Sequence, residues 1–332
     1  MSLKPLRALL ESALAARESL FDEQHQTGFR LFNGFTEGYP NLSVDLYART
    51  ALIHNYADPP ASNDAAVSAA QNFLQTQFPW LQCIIVKTRN GATTQEKQGK
   101  IVYGSNPNTR LREHNIWYAL DLTMNRDASL YLDTRHLRRW AVENLKGKSV
   151  LNTFAYTGSL GVAAMGSGAS RVVHIDLNGT FLNVGKTSYR LNGFAIEKKD
   201  FQVADFWPQI NLLKRNGENF DCVFLDPPFF GTTPKGAIDL QSNSARLINK
   251  VRPLINDGGV LVAINNALFL SGREYMETLE KLCADGYLSV EELIPVPEDF
   301  TGYPQTRVDP PLVDPAPFNH PTKIAILRVR RK

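Results

Sequence analysis

The feature that most restricts this chain's fold is a pattern that begins at Lys148. VLNTF, VVHIDL, the strand in KDFQVADFW, FDCVFLDPPFF and GGVLVAIN are short apolar runs. They are separated by helix-like segments such as GVAAMGSGA, NVGKTSYRLNG and SARLINKVRPLI. Near-continuous apolar strands are buried on both faces, and strands alternating with helices build a parallel sheet. The expectation is an α/β fold, a doubly wound Rossmann-like sheet covered on both faces. KIAILRV near the C-terminus reads as a last strand, inserted antiparallel.

The first third follows a different rhythm. Residues 3–20 read as an amphipathic helix. Phe29 to Tyr56 holds short β-type runs broken by Asn33-Gly34, Gly38 and Pro40-Asn41, which suggests hairpins. A helix is expected at about 62–78, a strand at 81–89 and a hairpin-like segment from Ile101 to Leu122. The chain thus divides into an N-terminal helix (1–28), a smaller α+β domain (29–115) and the large α/β domain (116–332).

Several function classes are excluded early. No apolar run approaches the roughly 18 residues of a membrane span, and the N-terminus carries acidic residues and no clean apolar stretch. The expectation is a cytoplasmic protein without a membrane partner. Cys83, Cys222 and Cys283 are widely spaced and form no CxxC, so neither a disulfide framework nor a metal site is expected. The net charge of +3 is too small to mark a nucleic-acid binder by itself. Local basic runs at Arg135–Arg139 and Arg328–Lys332 are either RNA contacts or ordinary solvated faces.

In such a sheet, ligands bind beyond the carboxyl ends of the strands. The first strand empties into Asn152-Thr153-Phe154-Ala155-Tyr156-Thr157-Gly158, where glycine lets backbone approach a ligand. Asp176 ends the second strand, followed by Leu177, and a carboxylate there can accept hydrogen bonds from ribose hydroxyls. The loop lacks GxGxxG, so a nucleoside cofactor without pyrophosphate fits better than a dinucleotide. S-adenosylmethionine is such a cofactor. Asp205 is placed either to accept the adenine amine, with Phe206 on the ring, or to cap the next helix. The Tyr131, Asp133 and Arg135 side chains precede a helix and either face the methionine end of the cofactor or merely start that helix.

Asp226-Pro227-Pro228-Phe229 closes the fourth strand. Two prolines stop the strand and stiffen the backbone, which presents Asp226 at the sheet edge. A carboxylate beside Phe229 or Phe230 can hold a planar amine and stack its ring, as enzymes hold a flipped base. Asp226, Pro227 and Phe229 are therefore the candidate catalytic residues, against the plainer reading of a rigid turn with an apolar plug.

At these residues the chain resembles the class I rRNA large-subunit methyltransferases typified by the bacterial 23S cytosine-5 enzyme. The resemblance spans roughly residues 29–332 and rests on YLDTRHLRRW, VLNTFAYTGSLGVAAMGSGASRVVHIDLN, LNG at 191–193, VADFW and FLDPPFF. It implies a class I methyltransferase sheet and an S-adenosylmethionine pocket lined by the Tyr131–Arg135 segment, Phe154–Gly158, Asp176, Asp205 and Asp226. DPPF also resembles the [DNS]PP[FYW] motif of base-amine methyltransferases, and residues 315–321 resemble a substrate-side loop.

Two departures stand out. The family commonly begins with a PUA RNA-binding domain, which is not expected here. Its cytosine-5 members also carry a nucleophilic cysteine after the fifth strand, where this chain reads Ala263-Ile264-Asn265-Asn266-Ala267. A cytosine-5 carbon needs thiolate addition to become nucleophilic, so a base nitrogen is the expected target. Asn265 or Asn266 is either a base contact or a strand cap. The expected partner is RNA, specifically rRNA, with a homodimer left open. The rival readings are a methyltransferase for a small molecule or protein, and a non-catalytic cofactor-binding scaffold.

Overall fold

A computed structural model describes Lys4–Arg331 except Pro234 and Asp309. The chain forms two compact units: Met1–Asp133 with Pro297–Pro311, and Thr134–Val296 with Leu312–Lys332. No helix among the described residues is long and apolar enough to cross a membrane.

The first unit begins with helix α1 (Lys4–Ala16), followed by strands β1 (Gly28–Asn33), β2 (Leu42–Tyr47) and β3 (Thr50–Asn55). Helix α2 (Asp64–Gln77) then crosses to β4 (Cys83–Thr88), and α3 (Thr94–Gln98) leads to β5 (Lys100–Gly104). The five strands lie in sequence order; only β3 and β4 run parallel, the crossover that α2 makes. Leu6 and Leu10 of α1 and Ala70 and Leu74 of α2 pack with Leu31, Val44 and Ile53 of the sheet. A hairpin follows, β6 (Arg110–Glu113) with β7 (Ile116–Ala119). The break expected at 115/116 falls inside this hairpin.

The segment 297–311 returns to this unit through a buried polar lock. Arg17 and Glu37 form a two-pronged ion pair of 2.8 and 3.1 Å with both side chains shut from water. Arg17 also donates to the Asp299 carbonyl, the Arg30 amide to the Asp299 carboxylate, and the Thr306 hydroxyl to Glu37.

The second unit carries α4 (Arg135–Asn144), β8 (Ser149–Thr153), α5 (Ser159–Gly166), β9 (Arg171–Asp176), α6 (Gly179–Leu191), β10 (Phe201–Val203) and α7 (Phe206–Arg215). Next come β11 (Phe220–Leu225), a short hairpin of β12 (Phe230–Thr233) and β13 (Gly236–Asp239), α8 (Leu240–Val251) and β14 (Ile255–Asn265). Helix α9 (Gly272–Cys283), β15 (Leu288–Leu293) and β16 (Lys323–Val329) complete it. The seven-stranded sheet has the order β10-β9-β8-β11-β14-β16-β15. The first five strands are parallel, and β16 is inserted antiparallel between β14 and β15. This is the doubly wound sheet expected from the apolar runs, including its antiparallel last strand. Leu151, Val173, Ile210, Val223, Leu247 and Leu261 sit in its core.

Candidate functional site

Strand order reverses between β8 and β11. From β8 the chain steps outward to β9 and β10, then returns to the other side as β11 and β14. Neighbouring loops diverge at such a point and leave room for a ligand beyond the carboxyl ends. Asn152 and Thr153 pair with Phe224 and Leu225, so the loop after β8 and Asp226 leave the same edge side by side. The Thr153 hydroxyl ties the two strands together through the Phe224 carbonyl at 2.7 Å.

The loop after β8 is tightly wound. Phe154, Tyr156 and Gly158 have φ of 52°, 51° and 77°. Left-handed backbone costs about 1–2 kcal/mol for a residue with a side chain, so Phe154 and Tyr156 must be held there. Three amides hold them: Ala155 donates to the Ile175 carbonyl (2.9 Å), Tyr156 to Asp176 Oδ2 (2.8 Å) and Gly158 to the Ala155 carbonyl (2.7 Å). Thr157 and Gly158 are buried, and Tyr156 packs edge-on against Phe181.

Asp176 is the hinge of this arrangement. Its second oxygen accepts the Asn178 amide at 2.8 Å. Burial raises the carboxyl pKa more than these two amide bonds lower it. Each oxygen keeps a further lone pair for a ligand hydroxyl. Leu177 beside it is 61% exposed, an apolar surface at the mouth of the edge.

His174 supports the loop from beneath, a residue that no motif singled out. It is fully buried, with Nδ1 3.3 Å from Asn152 Nδ2, Nε2 3.0 Å from the Tyr189 hydroxyl, and its ring stacked on Phe201. Desolvation lowers its pKa to about 3, so the ring is neutral. A methyl group at Gly161 would lie 2.2 Å from its Cε1. Glycine at 161 therefore serves helix-to-strand packing. The signal was present in the all-small face of GVAAMGSGA opposite VVHID. Asn152, expected along the pocket, is buried against His174.

After β10, Asp205 caps α7: its Oδ1 accepts the Trp207 amide at 2.9 Å. Phe206 is buried, and half-buried Phe154 stacks on it with centroids 4.6 Å apart. After β11, Asp226 is half-buried and Pro227 buried, whereas Phe229 and Phe230 are exposed. Of the upstream trio, Tyr131 and Asp133 belong to the first unit and Arg135 opens α4 of the second. Tyr131 is exposed, with its hydroxyl 3.3 Å from Asp127. Asp133 lies half-buried in the helical turn Leu132–Thr134.

The three thiols lie elsewhere. Cys83 and Cys222 are buried within β4 and β11, and Cys283 is half-buried at the end of α9. Burial pushes all three pKa values up, away from thiolate. No group of three or more His, Cys, Asp or Glu that could hold a metal ion exists among the described residues.

The edge thus gathers Asp176, Asp205 and Asp226 with backbone turns and apolar rings. Carboxylates repel a phosphate but accept from ribose hydroxyls and from an amine, and they favour a nearby cation. This set of acceptors fits S-adenosylmethionine, a nucleoside that bears a sulfonium and no phosphate. When bound, that cofactor supplies the electrophilic methyl group.

Residues 94–304 match the S-adenosylmethionine-dependent methyltransferase family. The ribosomal RNA large subunit methyltransferase I of Shewanella denitrificans is 29% identical over 290 residues, which cover 85% of this chain and 70% of that protein. The ribosomal RNA large subunit methyltransferase K/L of Colwellia psychrerythraea is 30% identical over 251 residues, 72% of this chain and 34% of that protein. The fold is similar to that of SMU.776 complexed with SAH, with a TM-score of 0.84, 20% identity, and coverage of 99% of this chain and 82% of that one. Both the sheet edge and the sequence match lead to one conclusion: the chain belongs to the S-adenosylmethionine-dependent methyltransferases.

Proposed function

We propose that this enzyme methylates a base nitrogen in RNA, and that ribosomal RNA is its substrate. The observation that carries this reading is the pairing of an Asp-Pro-Pro-Phe edge with thiols that are all buried or half-buried and shifted away from ionisation. A ring carbon requires a thiolate adduct before it can attack. A nitrogen already carries a lone pair. The names of the relatives support ribosomal RNA as the substrate class, and a cytoplasmic reaction goes with that reading.

Asp176 would accept the ribose hydroxyls, and Asp205 would accept the adenine amine through the oxygen not used by its cap. Arg135, at the start of α4, would face the methionine end. Asp226 would accept an N–H of the target base, turning the nitrogen lone pair toward the methyl carbon, while Phe229 stacks on the ring. Methyl transfer then needs alignment in line with the leaving sulfur more than acid–base help. When bound, the cofactor would supply the methyl group and keep its sulfur as a neutral thioether, while the proton released by the nitrogen would pass to Asp226 or to water.

The test is methyl transfer from a tritiated donor to rRNA of a strain lacking the gene, followed by mass spectrometry of the nucleosides. A base methylated on nitrogen is the expected product. A 5-methylcytosine product overturns the nitrogen assignment, and label confined to protein or small molecules overturns the RNA assignment.

A further inference from the structure

Helices α7 (FWPQINLLKR) and α8 (LQSNSARLINKV) contain no acidic residue. Helix α8 meets α7 over Trp207, whose side chain is buried. The Arg246 guanidinium of α8 lies 4.4 Å from the centroid of that ring, and Lys250 Nζ, one turn further on, lies 5.9 Å from it. Lys250 Nζ also donates to Asn211 Oδ1 of α7 at 2.5 Å, which ties the two helices together. Lys214, one turn beyond Asn211, lies within reach of the Lys250 charge. Desolvation first, and that charge second, lower the Lys214 pKa. Arg246 is exposed, and Lys214 and Lys250 are half-buried, so all three present surface to solvent.

None of these three cations pairs with a carboxylate among the described residues. The two basic runs of the sequence are different. In the first, Arg138 is buried and Arg139 pairs with Glu143 at 2.8 Å. In the second, Arg328 grips Glu291 with bonds of 2.7 and 2.6 Å. Like charges gathered without a counter-charge repel one another, and a bound anion removes that cost. The cluster also adjoins the cofactor edge, because Trp207 follows Phe206, on which Phe154 of the loop after β8 stacks.

We propose that Lys214, Arg246 and Lys250 form a phosphate-binding face that holds the sugar-phosphate backbone of the RNA substrate. This deepens the RNA reading above and rests on it. A guanidinium binds phosphate through two parallel N–H bonds, and lysine binds it as a point charge. Each phosphate neutralised releases a condensed counterion, so such a face grips RNA without reading its sequence and weakens as salt rises. A local face of this kind supplies RNA affinity in a chain whose formal charge is only +3.

The experiment measures methylation of rRNA from a strain lacking the gene over a range of salt concentrations, with the full chain. It compares wild type, Lys214→Gln, Arg246→Gln, Lys250→Gln, the triple variant, and Arg328→Gln as a control that removes one charge elsewhere. Each of the three single variants should raise KM for RNA by about 5–8-fold in 0.1 M salt and reduce the slope of log KM against log salt by about 1. The triple variant should reduce that slope by about 2–3. Cofactor affinity by calorimetry should be unchanged, and Tm should stay within about 2 °C of wild type. A KM that matches wild type, a rise in KM with no change in salt slope, or an equal effect of Arg328→Gln overturns the proposal. A wild type that puts no label into RNA instead removes the underlying RNA reading, and this inference with it.

Discussion

Asp176 Oδ2 accepts the Tyr156 amide at 2.8 Å, and through this bond the end of β9 holds a left-handed residue of the loop after β8 in place. The same carboxylate is proposed to bind the cofactor ribose. Asp176→Ala removes both roles at once. Cofactor affinity should fall at least about tenfold, measured by calorimetry with S-adenosylmethionine. An unchanged Kd would separate Asp176 from the nucleoside.

Asp226 and Cys222 are four residues apart on the same strand and loop, yet opposite outcomes are expected of them. Asp226→Ala should abolish turnover while cofactor affinity falls much less. Cys222→Ala should retain turnover, with a loss of about 1 kcal/mol of stability from the vacated sulfur volume. Single-turnover methylation of RNA checks both. Loss of chemistry in a folded Cys222→Ala protein would restore a thiol mechanism.

His174 predicts an acid-sensitive fold. Its folded pKa of about 3 lies below the ordinary value of 6.5, so the unfolded chain takes up the proton first. The stability contribution is complete above pH 6.5 and is lost as pH falls toward about 3. Urea midpoints measured across this window should drop more steeply for the wild type than for His174→Gln. Parallel slopes would show that His174 is not the group that titrates.

Gly161→Ala tests the packing under the cofactor loop. The new methyl would meet His174 Cε1 at 2.2 Å and Val172 Cγ1 at 2.9 Å, inside van der Waals contact. The His174 ring is fixed by Phe201 and Tyr189 and has nowhere to go. Tm should fall by roughly 2–10 °C, the effect of about 1–3 kcal/mol of overpacking. A Tm equal to wild type would mean that the ring moves aside at little cost.

The parallel sheet was readable because each central strand carries a short, near-continuous apolar run, and the residues after those runs share one edge. Features set by long-range contacts left weaker traces. β15 (LSVEEL) carries Glu291 and Glu292 on a sheet margin, which dilutes its apolar signal. The β12–β13 hairpin hides in FGTT and GAID, short runs with little hydrophobic contrast. Nothing local marks 297–311 as returning to the first unit, since its anchors Arg17, Arg30 and Glu37 lie more than 250 residues upstream. Sequence also leaves Asn265 and Asn266 indistinguishable, because only the three-dimensional structure shows that Asn265 is tied to Leu240, Ser244 and Ala267.

The place of β16 between β14 and β15 has a consequence for biosynthesis. As the ribosome extrudes the chain, β14 and β15 emerge with no partner for the edges that β16 will fill. Pairing must wait until residues 323–329 have left the exit tunnel. Until then two strand margins are open to other nascent chains, a known route to aggregation. Chaperone capture between the emergence of β15 and that of β16 should therefore govern how much protein matures.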